Sequence, residues 1–396
     1  MTTGVPVSFE DPRIEQLRRR ARQVVRDGVE PSGEACEAAG YTPHAMFRTL
    51  GQAGLLGLCQ RQDVGGDPLG PLASVTFAEE LSASSYGGVA EAVLIHTDMS
   101  STHIGHRGTE AQRQRYLPGM VRGDLICGIA VTEPEAGSDL AALRSTARRD
   151  GNHWVLNGVK TYATNAVHGD VMVVAARTDP HARPTRGVSL FIVERDTPGL
   201  EIRPMPRKLG LHSSDIADLV FDDARLPLDR LLGAENEGFH AIMENFQNER
   251  LVLGAMASGL GRRALEVTLK HVKARRAFGG TLWDQQATRQ RLAMLAARHR
   301  AIQALVRDTA IRAALGQDCV REVSMVKALA GETVQDIMRD CLQLHGGLGY
   351  MASSSIERMT RDARILTIGG GATEVMLEEI AKRLGIGAFS WNPLND

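Results

Sequence analysis

The chain has 396 residues, 43% of them apolar and 23% charged, with a formal net charge of −1. That length calls for two or three domains or one large helical body, and the balanced charge gives no bulk attraction to nucleic acid or an anionic membrane. No apolar run approaches the roughly 18–20 residues of a spanning helix, and the N-terminus lacks a basic-then-apolar leader, so no membrane insertion is expected.

Five scattered cysteines without a CxxC pair point to a reduced, cytoplasmic protein. His103 and His106 lie three apart and could share a helix face, but no carboxylate or cysteine stands at ligand spacing, so no metal is expected.

From about Pro12 to Gly123 apolar residues recur at three- and four-residue steps, broken by Gly and Pro, which predicts helices. From Leu125 to about Leu232 the texture turns short, β-branched and alternating, with turn signals such as Asn157-Gly158. Helical spacing returns at Gly238 and predicts helices over about 238–274, 284–316, 319–344 and 372–384. Three domains are expected, at 1–124, 125–232 and 233–396. Helices, then β, then helices is not the alternating order of a doubly wound sheet. No G-x-G-x-x-G and no Gly-Lys dipeptide occurs, so a bound nucleotide cofactor would be held by other means.

Three stretches carry candidate chemistry. In "GFHAIMENFQNERLVLGAMASGLG" the residues Ile242, Phe246, Glu249, Leu253, Met256 and Leu260 are spaced 4-3-4-3-4 and share one helix face. A carboxylate thus stands where burial is expected, which raises its pKa and suits a group that accepts a proton near neutrality. A glutamate at the bundle mouth, paired with an arginine from another helix, fits equally. In "GIAVTEPEAGSDLAALRS" the amides around Gly137 and Ser138 could approach an anion, and Thr132 could hydrogen-bond a polar ring edge. Third, "ILTIGGGATEVM" places three glycines between an apolar run and a helix start, which fits a phosphate cradle, a plain loop or a place from which a side chain has been removed.

The segments "AVTEPEAGSD", "LNGVKTYATNA", "KLGLHSSDIADLVFDD", "HVKARRAFGGTLWDQQ", "CLQLHGGLGYM" and "RDARILTIGGGATEVM" resemble, in order and spacing, the acyl-CoA dehydrogenase family over nearly the whole chain. The resemblance implies an α+β multidomain fold: an N-terminal helical domain, a β-barrel-like middle domain and a C-terminal four-helix bundle, assembled as a homotetramer. It implies FAD between the middle and C-terminal domains, reaching a neighbouring subunit. By resemblance Thr132 meets the flavin pyrimidine edge, Thr164 and Tyr162 stand beside the ring, and Ser138 lies near the pyrophosphate or the substrate's pantetheine. Arg275, Phe278 and Gln286 grip the neighbour's FAD, Gln343, Gly346 and Gly347 pack on that same cofactor, and Glu374 is a further cofactor contact. Taken alone, Gly346-Gly347 reads better as a simple helix stop.

The family reaction removes the α-proton of an acyl thioester while the β-hydrogen leaves as hydride to flavin N5, giving a trans-2-enoyl product. Many members carry the base where this chain has Gly370; isovaleryl- and long-chain-type members place it where this chain has Glu249. Arg250 matches an arginine that positions the thioester, and Gly370 would leave room for substrate.

Departures are Tyr162 in place of a tryptophan, and Ile129, Ala277 and Ala372 where relatives often carry hydrogen-bonding side chains. Gln247 replaces an aspartate that contacts the CoA arm, which leaves room for an acyl carrier protein as substrate carrier. The implied electron acceptor is electron-transferring flavoprotein. No arginine occurs in "EAVLIHTDMSSTHIGH", which disfavours a second substrate carboxylate. Rival readings are a flavin monooxygenase on the same fold, and a scaffold that has lost its cofactor.

Overall fold

The computed structural model describes residues 4–384. Seven α-helices open the described chain: α1 (Pro12–Val24), α2 (Glu30–Ala39), α3 (His44–Gln52), α4 (Pro71–Leu81), α5 (Gly87–Leu94), α6 (Ser101–Arg107) and α7 (Glu110–Arg122). Their starts follow local chemistry. Asp11 accepts the backbone N–H of Arg13 ahead of Pro12, and Thr109 with Gln112 closes a reciprocal capping box at α7, each satisfying amides that a helix start leaves unpaired. Between α5 and α6, Ile95–Ser100 widens into a π-turn.

Eight strands follow: β1 (Cys127–Ala130), β2 (Thr146–Asp150), β3 (His153–Thr164), β4 (Val171–Arg177), β5 (Val188–Glu194), β6 (Leu200–Pro204), β7 (Ile216–Pro227) and β8 (Leu231–Leu232). They form one sheet in the order β6-β7-β3-β2-β4-β5-β8, with β1 added in parallel beside β4. β3 is long and shifts register against β7 between Lys160 and Ala163. A bulge of this kind re-aims side chains, and here it carries Tyr162, whose φ is 56°.

The remaining helices are α8 (Gly238–Ala274), α9 (Gln286–Ala314), α10 (Val320–His345), α11 (Ser355–Ala363) and α12 (Thr373–Leu384). α11 lies outside the four helices that the spacing predicts. Its core positions Ile356, Met359 and Ala363 alternate with Arg358 and Asp362, which are also buried, so the apolar stripe is interrupted. Those polar residues are satisfied across the fold: Arg358 donates to the Ser85 carbonyl at 2.8 Å, and Asp362 accepts the Gly87 and Leu211 amides.

α4 ties the N-terminal helices to the bundle. It is buried from Leu72 to Leu81, and a Cβ at Gly259 of α8 would lie 2.2 Å from the Glu79 carbonyl oxygen, so only glycine lets these two backbones meet. Ala241 and Ile242 at the start of α8 share a core with Val131, Val173 and Leu190, and Phe246 packs against it. The first turns of the longest helix are therefore seated on the sheet.

Candidate active site

Glu249 lies just beyond that seat. Ile242, Leu253, Met256 and Leu260 of its stripe are buried and Phe246 is half-buried; Glu249 is 6% exposed. Burial drives its carboxyl up from the ordinary 4.5 to about 8, opposed first by the Asn245 amide and then by the Arg250 charge. Asn245 Nδ2 donates to Glu249 Oε1 at 2.8 Å. Opposite stands the π-turn, whose Asp98 accepts from Thr97 Oγ1 at 2.6 Å and from Asn248 Nδ2 at 3.4 Å. No arginine from another helix bonds to Glu249 among the described residues, so the bundle-mouth ion pair is not what is found.

The triple-glycine loop folds over the same stretch of α8. Gly370 has a φ of +65°, and a Cβ there would lie 2.2 Å from Leu253 Cδ1 and 3.8 Å from Lys327 Cε. The space beside Gly370 is thus not empty: Leu253, one turn beyond Glu249, fills it. A Cβ on Gly371 would stand 3.7 Å from Arg250 Nε. That Nε is buried with no hydrogen-bond partner, and burial lowers the guanidinium pKa. Its charged group rests 5.5 Å over the Phe246 ring. A buried donor without a protein acceptor is costly unless a ligand completes it.

Lys327 of α10, also buried, donates to the Leu366 carbonyl at 2.7 Å and the Gly371 carbonyl at 3.0 Å, so it holds both ends of the loop. Burial lowers its pKa to about 8. Glu91 of α5 is likewise raised by burial, with Oε2 unpartnered.

Across the seam the sheet presents a second group. The Thr161 amide donates to the Thr132 carbonyl at 2.9 Å, which joins the loop after β1 to the bulged end of β3. Thr132 and Thr164 are half-buried, Ser138 is exposed, and none of the three hydroxyls has a hydrogen-bond partner among the described residues. The Tyr162 side chain stands out at 63% exposure. Beneath the loop, Lys160 Nζ donates to Glu133 Oε1 at 2.6 Å and to the Val131 carbonyl at 3.1 Å. Glu133 also accepts the Arg144 amide at 2.7 Å and the Ser145 amide at 2.9 Å. One buried ion pair thereby fastens both ends of the segment bearing Thr132 and Ser138.

The other predicted residues stand elsewhere. His271 of α8 stacks on His345 of α10 with centroids 4.3 Å apart, which brings Arg275 and Phe278 to the same end of the bundle as Gln343, Gly346 and Gly347. By helix rise, that end is about 33 Å along α8 from Glu249. Arg275, Gln286, Gln343, Gly346 and Gly347 are exposed, and Phe278 is 90% exposed at a φ of 51°. Glu374 is exposed in the first turn of α12. Arg250, Gly370 and Glu249 come together; the bundle-end group does not reach them within one chain. Among the described residues no cluster suited to a metal occurs, no helix is long and apolar enough to cross a membrane, and all five cysteines are free.

Residue spacing leaves Asn245, Asp98, Lys327 and the Glu133–Lys160 pair unmarked. Only Asn245 had a signal available, its position four residues before Glu249 on one helix; the others act across tertiary contacts.

A fold of this kind, a bulged sheet packed against a helical bundle, has close counterparts among known proteins. Residues 11–124, 128–224 and 236–385 match in order the acyl-CoA dehydrogenase N-terminal, middle and C-terminal domains. The chain belongs to the acyl-CoA dehydrogenase family and is an FAD-dependent oxidoreductase.

Among its relatives, the acyl-CoA dehydrogenase of Bacillus subtilis is 33% identical over 93% of this chain and 97% of its own length. The mitochondrial long-chain specific acyl-CoA dehydrogenase of Sus scrofa is 36% identical over 93% of this chain and 85% of its own. The crystal structure of acyl-CoA dehydrogenase from Geobacillus kaustophilus superposes with a TM-score of 0.91 at 37% identity, covering 96% of this chain and 99% of that one.

Proposed function

We propose that this chain oxidises an acyl-CoA to its trans-2-enoyl-CoA, with Glu249 as the base that removes the α-proton. One observation carries the reading: a carboxyl buried at the seam, with no cation bonded to it and its pKa near 8, where a base for a weak carbon acid is needed. The triple-glycine loop closes the other side without a competing acid. Arg250, with its buried Nε unpaired, positions the thioester beside the base.

The residues fit the cofactor. Three unpartnered hydroxyls and an exposed aromatic ring on the sheet wall suit a flat heterocycle with polar edges: Thr132 would hold its pyrimidine edge, Thr164 and Tyr162 the ring, and Ser138 the pyrophosphate or pantetheine. Bound FAD supplies the acceptor for the β-hydride. The loop fastened by Glu133 and Lys160 orients these groups, while Ile242 and Phe246 help keep water from the seam.

The bundle-end group of Arg275, Phe278, Gln286, Gln343, Gly346 and Gly347 lies too far from Glu249 to share its cofactor, so it would meet the FAD of a second copy. A homo-oligomer, a tetramer by family resemblance, follows. Glu374, exposed at the start of α12, is assigned as a further cofactor contact.

Free CoA is favoured over a carrier protein as the thioester's bearer. Of the five arginines in the 17–26 stretch, Arg18 and Arg19 pair with Glu15, Arg22 with Glu80 and Arg26 with Asp27, while Arg20 reaches only the Gly54 carbonyl. Little positive charge is left there to attract an acidic domain. Electron-transferring flavoprotein is the proposed acceptor.

The test is anaerobic mixing of FAD-loaded protein with acyl-CoA and acyl-carrier thioesters of graded chain length. Bleaching of the flavin band by a saturated acyl-CoA, lost in a Glu249→Gln variant that still holds FAD, is the expected result. A panel in which no thioester bleaches the flavin, or a Gln variant that bleaches at the normal rate, overturns the proposal.

A further inference from the structure

We infer that Asn245 is a positioning residue for the base: its side-chain amide, braced on the π-turn, fixes the Glu249 carboxyl and favours its ionised form. The inference rests on the reading of Glu249 as that base.

The geometry determines which way the amide points. Asn245 is buried, and its Nδ2 lies 2.8 Å from Glu249 Oε1, 3.3 Å from the Asp98 carbonyl and 3.4 Å from the Met99 carbonyl. Backbone carbonyls only accept, so the NH2 end must face them. One hydrogen is shared between the two carbonyls and the other is directed at the carboxyl. The brace comes from the other side of the seam, because Asp98 and Met99 belong to the π-turn Ile95–Ser100 of the N-terminal helices. Such turns interrupt regular helix and recur at functional sites. Asn248, one helical step on, reaches the same Asp98 carbonyl at 3.2 Å, so two amides of α8 are pinned to one bulge.

An amide donor can serve either state of a carboxyl, but it serves the anion better. The other charges acting on Glu249 are Asp98 across the seam, which opposes ionisation, and Arg250 on its own helix, which favours it. Lys327 of α10 acts on Arg250 and Glu91 instead, and the glycine loop contributes no charge. Among the influences that lower the Glu249 pKa, the Asn245 amide is the largest. It keeps a group driven up by burial within reach of neutral pH, and it holds Oε1 in place so that Oε2 is left for the substrate proton.

The test reads Glu249 itself: the infrared carboxylic-acid band of FAD-loaded protein that Glu249→Gln abolishes, titrated with pH. In the unaltered protein the midpoint falls near 8. In Asn245→Leu it rises by about one unit, the equivalent of one hydrogen bond to a charged group. The acid limb of kcat/KM moves with it, giving about tenfold less activity well below the midpoint and little loss above it. Asn245→Gln, which keeps an amide donor, restores the midpoint at least in part. Should the Leu variant not fold, Asn245→Ala answers the same question without adding bulk.

An unmoved midpoint in Leu or Ala, or a loss by the same factor at every pH, overturns the inference even in an active dehydrogenase. Conversely, a shifted band in a protein whose flavin no thioester bleaches supports the amide's effect on Glu249 and removes only the dehydrogenase reading.

Discussion

Glu133 and Glu249 are each 6% exposed, yet their acidities move in opposite directions. Burial pushes both up, but at Glu133 the Lys160 ammonium and two backbone amides outweigh it and hold the carboxyl below the usual range. At Glu249 a single neutral amide and a non-bonded arginine oppose burial, and the pKa climbs to about 8. The difference teaches that burial alone does not make a base. A compensated carboxylate becomes a fastener, here for the segment carrying Thr132 and Ser138, whereas an under-compensated one is left able to take a proton.

The comparison can be broken in several ways. Its largest expected effect is kinetic: Glu249→Gln should lower turnover by roughly 10²–10⁴-fold, the range for a general base, without loss of bound FAD. Steady-state rates and flavin content together check this, and near-normal turnover removes Glu249 from the chemistry.

Lys160→Met should do the reverse. Stranding a buried carboxylate costs about 3–5 kcal/mol, read as a lower urea midpoint, and FAD content should fall because the fastened segment loosens. If stability and flavin content survive, Glu133 is not a fastener.

The third prediction concerns pH. The folded pKa of Glu249, near 8, lies above its unfolded value, so its stabilising contribution is complete below about pH 4.5 and disappears as pH rises through 8. Glu249→Gln should therefore match the parent near pH 4.5 and exceed it by about 4 kcal/mol by pH 8. Melting curves across that window decide, and a constant gap would mean the carboxyl is not held neutral.

The smallest effect is expected at the loop over Glu249. Gly370→Ala combines a left-handed φ with contact on Leu253 and should cost about 1–3 kcal/mol. Adding Leu253→Ala should recover the contact part, and a double variant no more stable than predicted by simple addition would show that strain alone is at work.

Much of this was legible in the chain. The change from helical spacing to alternation and back is a local property, set by which face of each element is apolar, and it marks out helices, sheet and bundle without any partner being known. Glu249 was legible for the same reason, as the one carboxylate in an apolar stripe. α11 was not, because Arg358 and Asp362 are buried by partners at Ser85, Gly87 and Leu211, and nothing nearby in sequence predicts such partners. Triple glycine could be read as a vacancy, but that Leu253 fills it depends on a loop and a helix more than a hundred residues apart meeting in space.

The sequence by itself determined the order of helical and β segments, the family motifs and the acid on the leading bundle helix, because these depend on short-range periodicity and residue type. Only the tertiary structure decided that Glu249 is left without a bonded cation while Glu133 receives one, that Asn245 is braced on a π-turn from the far side of the seam, and that Lys327 holds the glycine loop. Acidity and position inside a protein are set by whichever groups converge on a side chain, and here convergence is produced by packing between elements distant along the chain.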